Sequence, residues 1–305
     1  MLALEISNLN KLYKGRVQAL NNVSLNIKQG EFFALLGPNG AGKSTTIGII
    51  CSLVNKDSGL VKIFGCDIDQ DRAAAKSHIG LAPQEFNFNT FETPIEILVN
   101  QAGYYGIPRS EALQRAEKYL KLLDIWGKNG TQSRFLSGGM KRRLMIARAM
   151  MHEPKVLILD EPTAGVDIEV RHQIWGFLQK LNQEQKTTII LTTHYLEEAE
   201  YLCKTIAIIN NGVIIQQGLM RDILALCTQH SYIAELKEGL AKPPVIKGFD
   251  IKMEDANRLV INFEADKSVS ELVKSLAEKN ITLVNLYLQS NRLESLFLKL
   301  TGKTS

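Results

Sequence analysis

The stretch Gly37-Pro38-Asn39-Gly40-Ala41-Gly42-Lys43-Ser44 matches the pattern G-x-x-x-x-G-K-[ST], and Thr45 follows it directly. Glycines at this spacing let backbone N–H groups curl around nucleotide phosphates, and a helix starting there adds the positive end of its dipole. Lys43 supplies a mobile cation for the same phosphates, and Ser44 a hydroxyl for Mg2+. Further along, Asp160-Glu161 closes the apolar run Val156-Leu157-Ile158-Leu159. A carboxylate at the carboxyl end of a buried strand beside a phosphate loop is where Mg2+ needs a ligand, direct or through water; Asp160 fits that role. Glu161, one residue on, is placed to accept a proton from an attacking water.

Such side chains need a rigid frame. Phe32-Phe33-Ala34-Leu35-Leu36 is a continuous apolar run ending at Gly37, the pattern of a fully buried strand. Behind the loop, Ile47, Ile50, Cys51 and Val54 recur at helical spacing, so the loop lies between strand and helix as its mechanism requires. Upstream, Leu2, Leu4 and Ile6, then Val23, Leu25 and Ile27, alternate with polar residues as strands do. Pro94 is placed to open one helix, and Ser110 to cap a second whose Leu113, Leu120 and Leu123 share a face. Strand-like runs return at 156–159, 187–191 and 206–209, with a helix marked by Val170, Ile174, Phe177, Leu178 and Leu181. Asn211-Gly212 is a hairpin signal. This alternation predicts an α/β domain around a mostly parallel sheet. After about residue 228 the rhythm changes. Beyond Pro243-Pro244 it reads strand 258–264, helix 268–279, strand 281–288, helix 292–300, a small α+β, ferredoxin-like appendage with no chemical motif.

Composition removes several classes of function. The 305 residues are 45% hydrophobic and 22% charged, with 36 basic against 32 acidic side chains, an ordinary globular balance of +4. That surplus is too small to argue for nucleic acid. The longest apolar runs, such as Phe32 to Leu36, fall far short of the roughly twenty residues of a membrane-spanning helix. Glu5, Asn8, Asn10 and Lys11 interrupt the first dozen residues, so no secretion signal is expected there. Cys51, Cys66, Cys203 and Cys227 form no CxxC pair and no metal spacing, which suits a reduced cytosol. Asn55-Lys56-Asp57 has the letters of a guanine-binding motif, but it sits just behind the first helix, the wrong place for one.

Between the phosphate loop and Asp160 lies Leu136-Ser137-Gly138-Gly139-Met140, followed by a basic helical stretch. With Gln84 after one strand and His194 after another, the chain resembles the ATP-binding cassette (ABC) ATPases over residues 1 to about 220. The stretches Pro83-Gln84-Glu85-Phe86-Asn87-Phe88, Pro162-Thr163-Ala164-Gly165-Val166-Asp167 and Thr193-His194-Tyr195-Leu196-Glu197-Glu198-Ala199-Glu200 resemble the branch that powers drug, glycolipid and polysaccharide exporters. The appendage is similar to that of daunorubicin-resistance-like members.

The resemblance implies an ABC-type nucleotide-binding domain over 1–228, with a helical subdomain at about 85–150, and a small α+β domain over 229–305. It also implies a head-to-tail homodimer with ATP at the interface, in which Ser137, Gly138 and Gly139 of one subunit close the site formed by Gly37 to Thr45 of the other. Met140 replaces the commoner glutamine; serine and backbone form the clamp, so altered tuning is expected rather than loss. Tyr13 corresponds to the aromatic that stacks on adenine. Gln84 would reach Mg2+ and the attacking water, and His194 would hold the γ-phosphate. Asp167 would sit at the dimer interface, although a helix cap alone would account for it. Phe86, Phe88 and Phe91 either line a groove for a short helix of a membrane subunit or pack in the core. Lys141-Arg142-Arg143 reads as a solvated helical face. The resulting expectation is an ATPase, with ATP and Mg2+ as cofactors, that energises export by a separate permease at the cytoplasmic face of the cell membrane, with no nucleic-acid partner. A nucleotide-sensing regulatory module is a second reading, against which Glu161 and His194 argue. A ribosome- or DNA-associated ABC ATPase is a third, which expects two cassettes or a long coiled coil.

Overall fold

Alternation in the first thirty residues produces an antiparallel ribbon. β1 (Leu2–Tyr13) pairs with β2 (Val17–Lys28), and Leu4, Ile6, Val23, Leu25 and Ile27 are buried while their polar neighbours are more exposed. The computed structural model describes residues 1–226, 229–264, 267–289 and 292–302. It divides into two units, Met1–Leu219 and Met220–Ser305.

In the first unit β3 (Phe32–Leu36) is buried at every position and runs into the phosphate loop and α1 (Lys43–Ile50). β4 (Ser58–Ile63) and β5 (Cys66–Asp67) complete the first sheet, ordered β2-β1-β4-β5. The chain continues through α2 (Arg72–Ser77), β6 (Ile79–Ala82), α3 (Pro94–Gly103), α4 (Arg109–Leu122), α5 (Gly138–Ala149), β7 (Val156–Asp160), α6 (Ile168–Gln185), β8 (Thr188–Thr192), α7 (Leu196–Leu202), β9 (Thr205–Asn210) and β10 (Val213–Leu219). The second sheet has six strands in the order β10-β9-β3-β8-β7-β6. Its members pair in parallel except β10, which returns antiparallel on β9 through Asn211 (φ 47) and Gly212 (φ 75). Two consecutive left-handed residues are what a tight hairpin requires, which explains the Asn-Gly pair.

The helical segment differs in detail from its sequence pattern. α3 opens at Pro94 with a Thr93–Glu96 capping box. α4 is preceded by Pro108 rather than capped by Ser110, which lies inside the helix. Its buried face is Ala112, Ala116, Tyr119 and Leu120, and Leu113 is exposed. The small alanines let neighbours approach closely, so the buried stripe follows them rather than the leucine spacing.

The second unit contains α8 (Met220–Leu224), β11 (Gln229–Leu236), β12 (Asp250–Asp255), β13 (Arg258–Glu264), α9 (Val269–Glu278), β14 (Leu283–Leu288) and α10 (Arg292–Thr301). Its antiparallel sheet is ordered β12-β13-β11-β14. That is the ferredoxin-like order, with the segment 237–249 standing where the first crossover helix belongs. Leu259, Ile261 and Phe263 on β13 pack with Leu272 and Leu276 of α9 as a core of their own. Neither β11 nor β12 carries an apolar alternation strong enough to stand out in the sequence. Cys51, Cys66 and Cys203 are free thiols, and Cys227 lies outside the described residues.

Candidate functional site

β3, β8, β7 and β6 lie side by side and parallel, so their carboxyl ends share one edge of the sheet. In open α/β sheets that edge is where ligands bind. β3 delivers the phosphate loop there, β6 the Gln84 loop, β7 Asp160 and Glu161, and β8 His194. These residues border a cavity of about 780 Å³ whose other wall is Tyr13, Val17, Gln18 and Ala19. The last three of these carry no signal in the sequence, since they contribute as the start of a strand rather than through reactive groups.

Gly42 precedes α1 at φ 111, and a Cβ there would lie 2.7 Å from the Ala19 carbonyl. No acidic residue occupies the first turn of α1, so the positive end of its dipole is not neutralised locally. Ser44 is exposed, whereas Lys43 is buried, and its Nζ donates to the carbonyls of Gly37 at 2.6 Å and Pro38 at 3.1 Å. Burial pushes the Lys43 ammonium below its ordinary 10.5, while the charges of Glu161 and Asp160 pull it back up.

The two carboxylates are held differently. Asp160 Oδ1 accepts a hydrogen bond from Thr192 Oγ1. Glu161 adopts φ 51, a left-handed conformation that costs a non-glycine residue roughly 1–2 kcal/mol. Its N–H donates to the Thr192 carbonyl at 2.9 Å, which offsets part of that cost. The bend aims the carboxylate between two partners: Gln84 Nε2 donates to Oε2 at 2.9 Å, and His194 Nδ1 lies 3.2 Å from Oε1. A carboxylate fixed in this way beside a phosphate loop is placed to take a proton from water. The sequence marks Thr192 only as a hydroxyl at a strand end two residues before His194.

Not every candidate meets at this cavity. Ser137 caps α5, accepting from the Met140 N–H at 3.3 Å, and neither it nor Gly138, Gly139 or Asp167 lines the cavity. Gly138 is exposed with open space around it, while Gly139 lies against Val170 of α6. Asp167 caps α6 through the Val170 N–H at 2.8 Å. Tyr13 is 40% exposed at the cavity rim, with Lys11 Nζ 5.4 Å from its ring centroid.

The structure removes one of two alternatives for the phenylalanines and overturns the expectation for the basic stretch. Phe86 and Phe91 are exposed and Phe88 half-buried, so they do not form core. Arg142 and Arg143, expected on a solvated face, are 4% and 6% exposed. Arg143 Nη1 donates to the carbonyls of Leu123 and Asp124 and to Gln173 Oε1, which ties down the end of α4. Glu198 is also fully buried, and its Oε1 accepts from Thr163 Oγ1 at 3.0 Å and Trp175 Nε1 at 2.9 Å.

Comparison with known proteins adds an independent line. The ABC transporter family model matches residues 20–164. Over 310 aligned positions the chain is 37% identical to the linearmycin resistance ATP-binding protein LnrL of Bacillus subtilis, covering 99% of each chain. It is 33% identical to the Nod factor export ATP-binding protein I of Paraburkholderia xenovorans, covering 99% of this chain and 97% of that one. The methionine import ATP-binding protein MetN 1 of Bacillus anthracis is 35% identical, over 72% of this chain and 66% of its own. Among solved structures, a dimeric ATP-binding cassette in a post-hydrolysis state with ADP and Pi superposes with a TM-score of 0.66 at 29% identity, covering 72% of this chain and 99% of that one.

Proposed function

The chain belongs to the ABC transporter family as an ATP-binding, ATP-hydrolysing subunit, and we propose that it energises export by a separate membrane-spanning permease. The observation that carries this reading is the meeting of Lys43, Gln84, Asp160, Glu161 and His194 at one cavity. Direction is supported by the two relatives matched over nearly their whole length, whose names speak of resistance and export, whereas the import relative matches only in part. Among the described residues no helix is long and apolar enough to cross a membrane, and in this reading the permease supplies the transport path. The subunit then works from the cytoplasmic face, held to the membrane by that permease.

In this reading, Lys43 and the N–H groups of Gly40 to Thr45 hold the ATP phosphates, and Tyr13 stacks on the base. Ser44, Gln84 and Asp160 offer a hydroxyl, an amide and a carboxylate for Mg2+. This all-oxygen set is too sparse for a protein cage, and among the described residues no His/Cys/Asp/Glu cluster forms one. A sparse oxygen set suits Mg2+, which keeps water and substrate phosphates as its other ligands and neutralises phosphate charge when bound. Glu161 accepts the proton of the attacking water, with its carboxylate held by Gln84 and His194. Ser137, Gly138 and Gly139, at the start of α5, close the partner subunit's site through the helix N-terminus, with Asp167 beside them at the interface. ATP thus joins two subunits and its hydrolysis separates them.

Affinity purification of the chain from detergent-solubilised membranes tests the reading. A multi-span hydrophobic protein recovered with it, together with ATPase activity lost in K43A, is the expected result. Recovery with ribosomes would overturn it.

A further inference from the structure

Arg142 belongs to the basic stretch that the catalytic reading leaves without a task. It lies on α5, shortly after the Ser137-Gly138-Gly139 segment, and it points into the protein. Its Nη1 donates to the carbonyls of both Pro83 and Gln84, at 3.1 and 2.9 Å, and its guanidinium lies 5.1 Å from the Phe86 ring centroid. Further along the same helix, Arg148 Nη1 donates to the Asn87 carbonyl at 3.2 Å, and its other amino group bonds the Asn87 side chain. The loop from Pro83 to Asn87 is therefore gripped along α5 at two places. The Gln84 side chain itself donates to Glu161 Oε2 at 2.9 Å.

Stability alone is a poor explanation for Arg142. Its guanidinium feels the charges of Glu161 and Asp160, but burial outweighs them and pushes it below its ordinary value, and its buried Nε has no hydrogen-bond partner. Burying a cation on backbone carbonyls carries a desolvation cost that these two charges offset only in part and that an apolar side chain would avoid. What this arrangement does provide is a continuous physical path: Glu161 to the Gln84 amide, the Gln84 carbonyl to Arg142, and Arg142 through a rigid helix to Ser137. Each link is a directional hydrogen bond or a helix, so a shift at one end has little slack to disappear into.

We propose that Arg142, seconded by Arg148, is a positioning residue that locks the Gln84 loop to α5. Nucleotide at one subunit's phosphate loop thereby orients the signature segment that the same subunit presents to its partner's site. The inference rests on the dimeric reading above.

The test uses the full-length chain carrying E161Q, with R142Q, R142K or R148Q added. ATP affinity is measured at protein concentrations too low for association, and ATP-dependent dimerisation by size exclusion with light scattering. R142Q is expected to raise the ATP concentration for half-maximal dimerisation at least tenfold, with monomer affinity within threefold and the melting temperature nearly unchanged. R142K, which keeps the cation, recovers most of the loss, and R148Q shifts it two- to fivefold. R142Q dimerising like its parent overturns the inference, as does a parallel loss of monomer binding and dimerisation, which would mark a structural role. Where R142Q does not fold, R148Q decides, and unchanged dimerisation overturns the proposal. A parent that never dimerises with ATP removes the dimeric reading, and the inference goes with it.

Discussion

Glu161 Oε1 lies 3.2 Å from His194 Nδ1, and the residue that holds this carboxylate does so from a left-handed backbone at φ 51. That separation brings the ring within reach of the carboxylate, at the oxygen that Gln84 does not hold. The strained turn has a purpose: it swings Glu161 off the line of β7 to where His194 and Gln84 both reach it.

Replacing this carboxylate tests its role as base. Glu161→Gln keeps the shape and the Gln84 contact but removes the proton acceptor. Turnover is expected to fall by about 10²–10⁴, roughly 3 to 5 kcal/mol of barrier, while ATP binding persists. An ATP-bound dimer should then accumulate and be visible by size exclusion. Turnover within a few-fold of wild type would sink the assignment.

Gly42→Ala probes the loop without touching any charge. The new Cβ would stand 2.7 Å from the Ala19 carbonyl and 2.8 Å from Leu20 Cδ2, at a φ of 111 that side chains avoid. Strain and overlap together predict a stability loss of about 1–3 kcal/mol by urea denaturation. ATP affinity should fall at least tenfold, because α1 would have to retreat from the cavity. An alanine variant with normal affinity would show that the loop has room the backbone geometry denies.

Glu198 gives a pH signature. Burial raises its carboxyl above the usual 4.5, although the Thr193, Trp175 and Thr163 donors and the Arg171 charge pull it down. Above pH 4.5 the unfolded chain releases this proton before the folded one does. Folding stability therefore falls as pH rises from that value through the folded pKa, and the Glu198 contribution is most favourable below it. Glu198→Gln keeps an acceptor for Thr163 and Trp175 but cannot titrate. The unfolding free energy of wild type minus that of E198Q should decline as pH is raised above the ordinary carboxyl value of 4.5 in urea titrations. A difference that stays flat above pH 4.5 would show that burial does not raise this carboxyl in the folded protein.

Much of the site could be read from the sequence because its determinants are local. Gly37 to Thr45 and Asp160-Glu161 announce themselves by residue type next to apolar runs, and a strand followed by a loop has few ways to present them. Arg142 and Arg143 show where that logic stops. Three consecutive basic residues read as solvated, yet on a helix adjacent positions face different ways, and two of these turn inward to backbone carbonyls distant in sequence. The chain alone carries no trace of those acceptors. Ser110 and Leu113 fail for a related reason: the stripe of α4 that is buried depends on what packs against it, which propensity and spacing do not encode. β11 and β12 carry little signal of their own because a strand's partners, rather than its own alternation, decide whether it pairs.

The appendage offers a last prediction, about where the chain can be cut. The residues bordering the nucleotide cavity all precede β9, and the second unit closes its own sheet and core. Chains ended after Leu219 or after residue 228 should therefore both bind ATP within threefold of full length. They should differ in behaviour, because α8 carries the buried side chains Met220 and Ile223 and packs on α10, whose Leu293 and Leu296 are also buried. Cutting after residue 228 keeps α8 and discards its cover, so that version should bind a hydrophobic dye and aggregate on warming, while the cut after Leu219 stays monodisperse. Loss of ATP binding in the shorter chain would show that the second unit supports the nucleotide site.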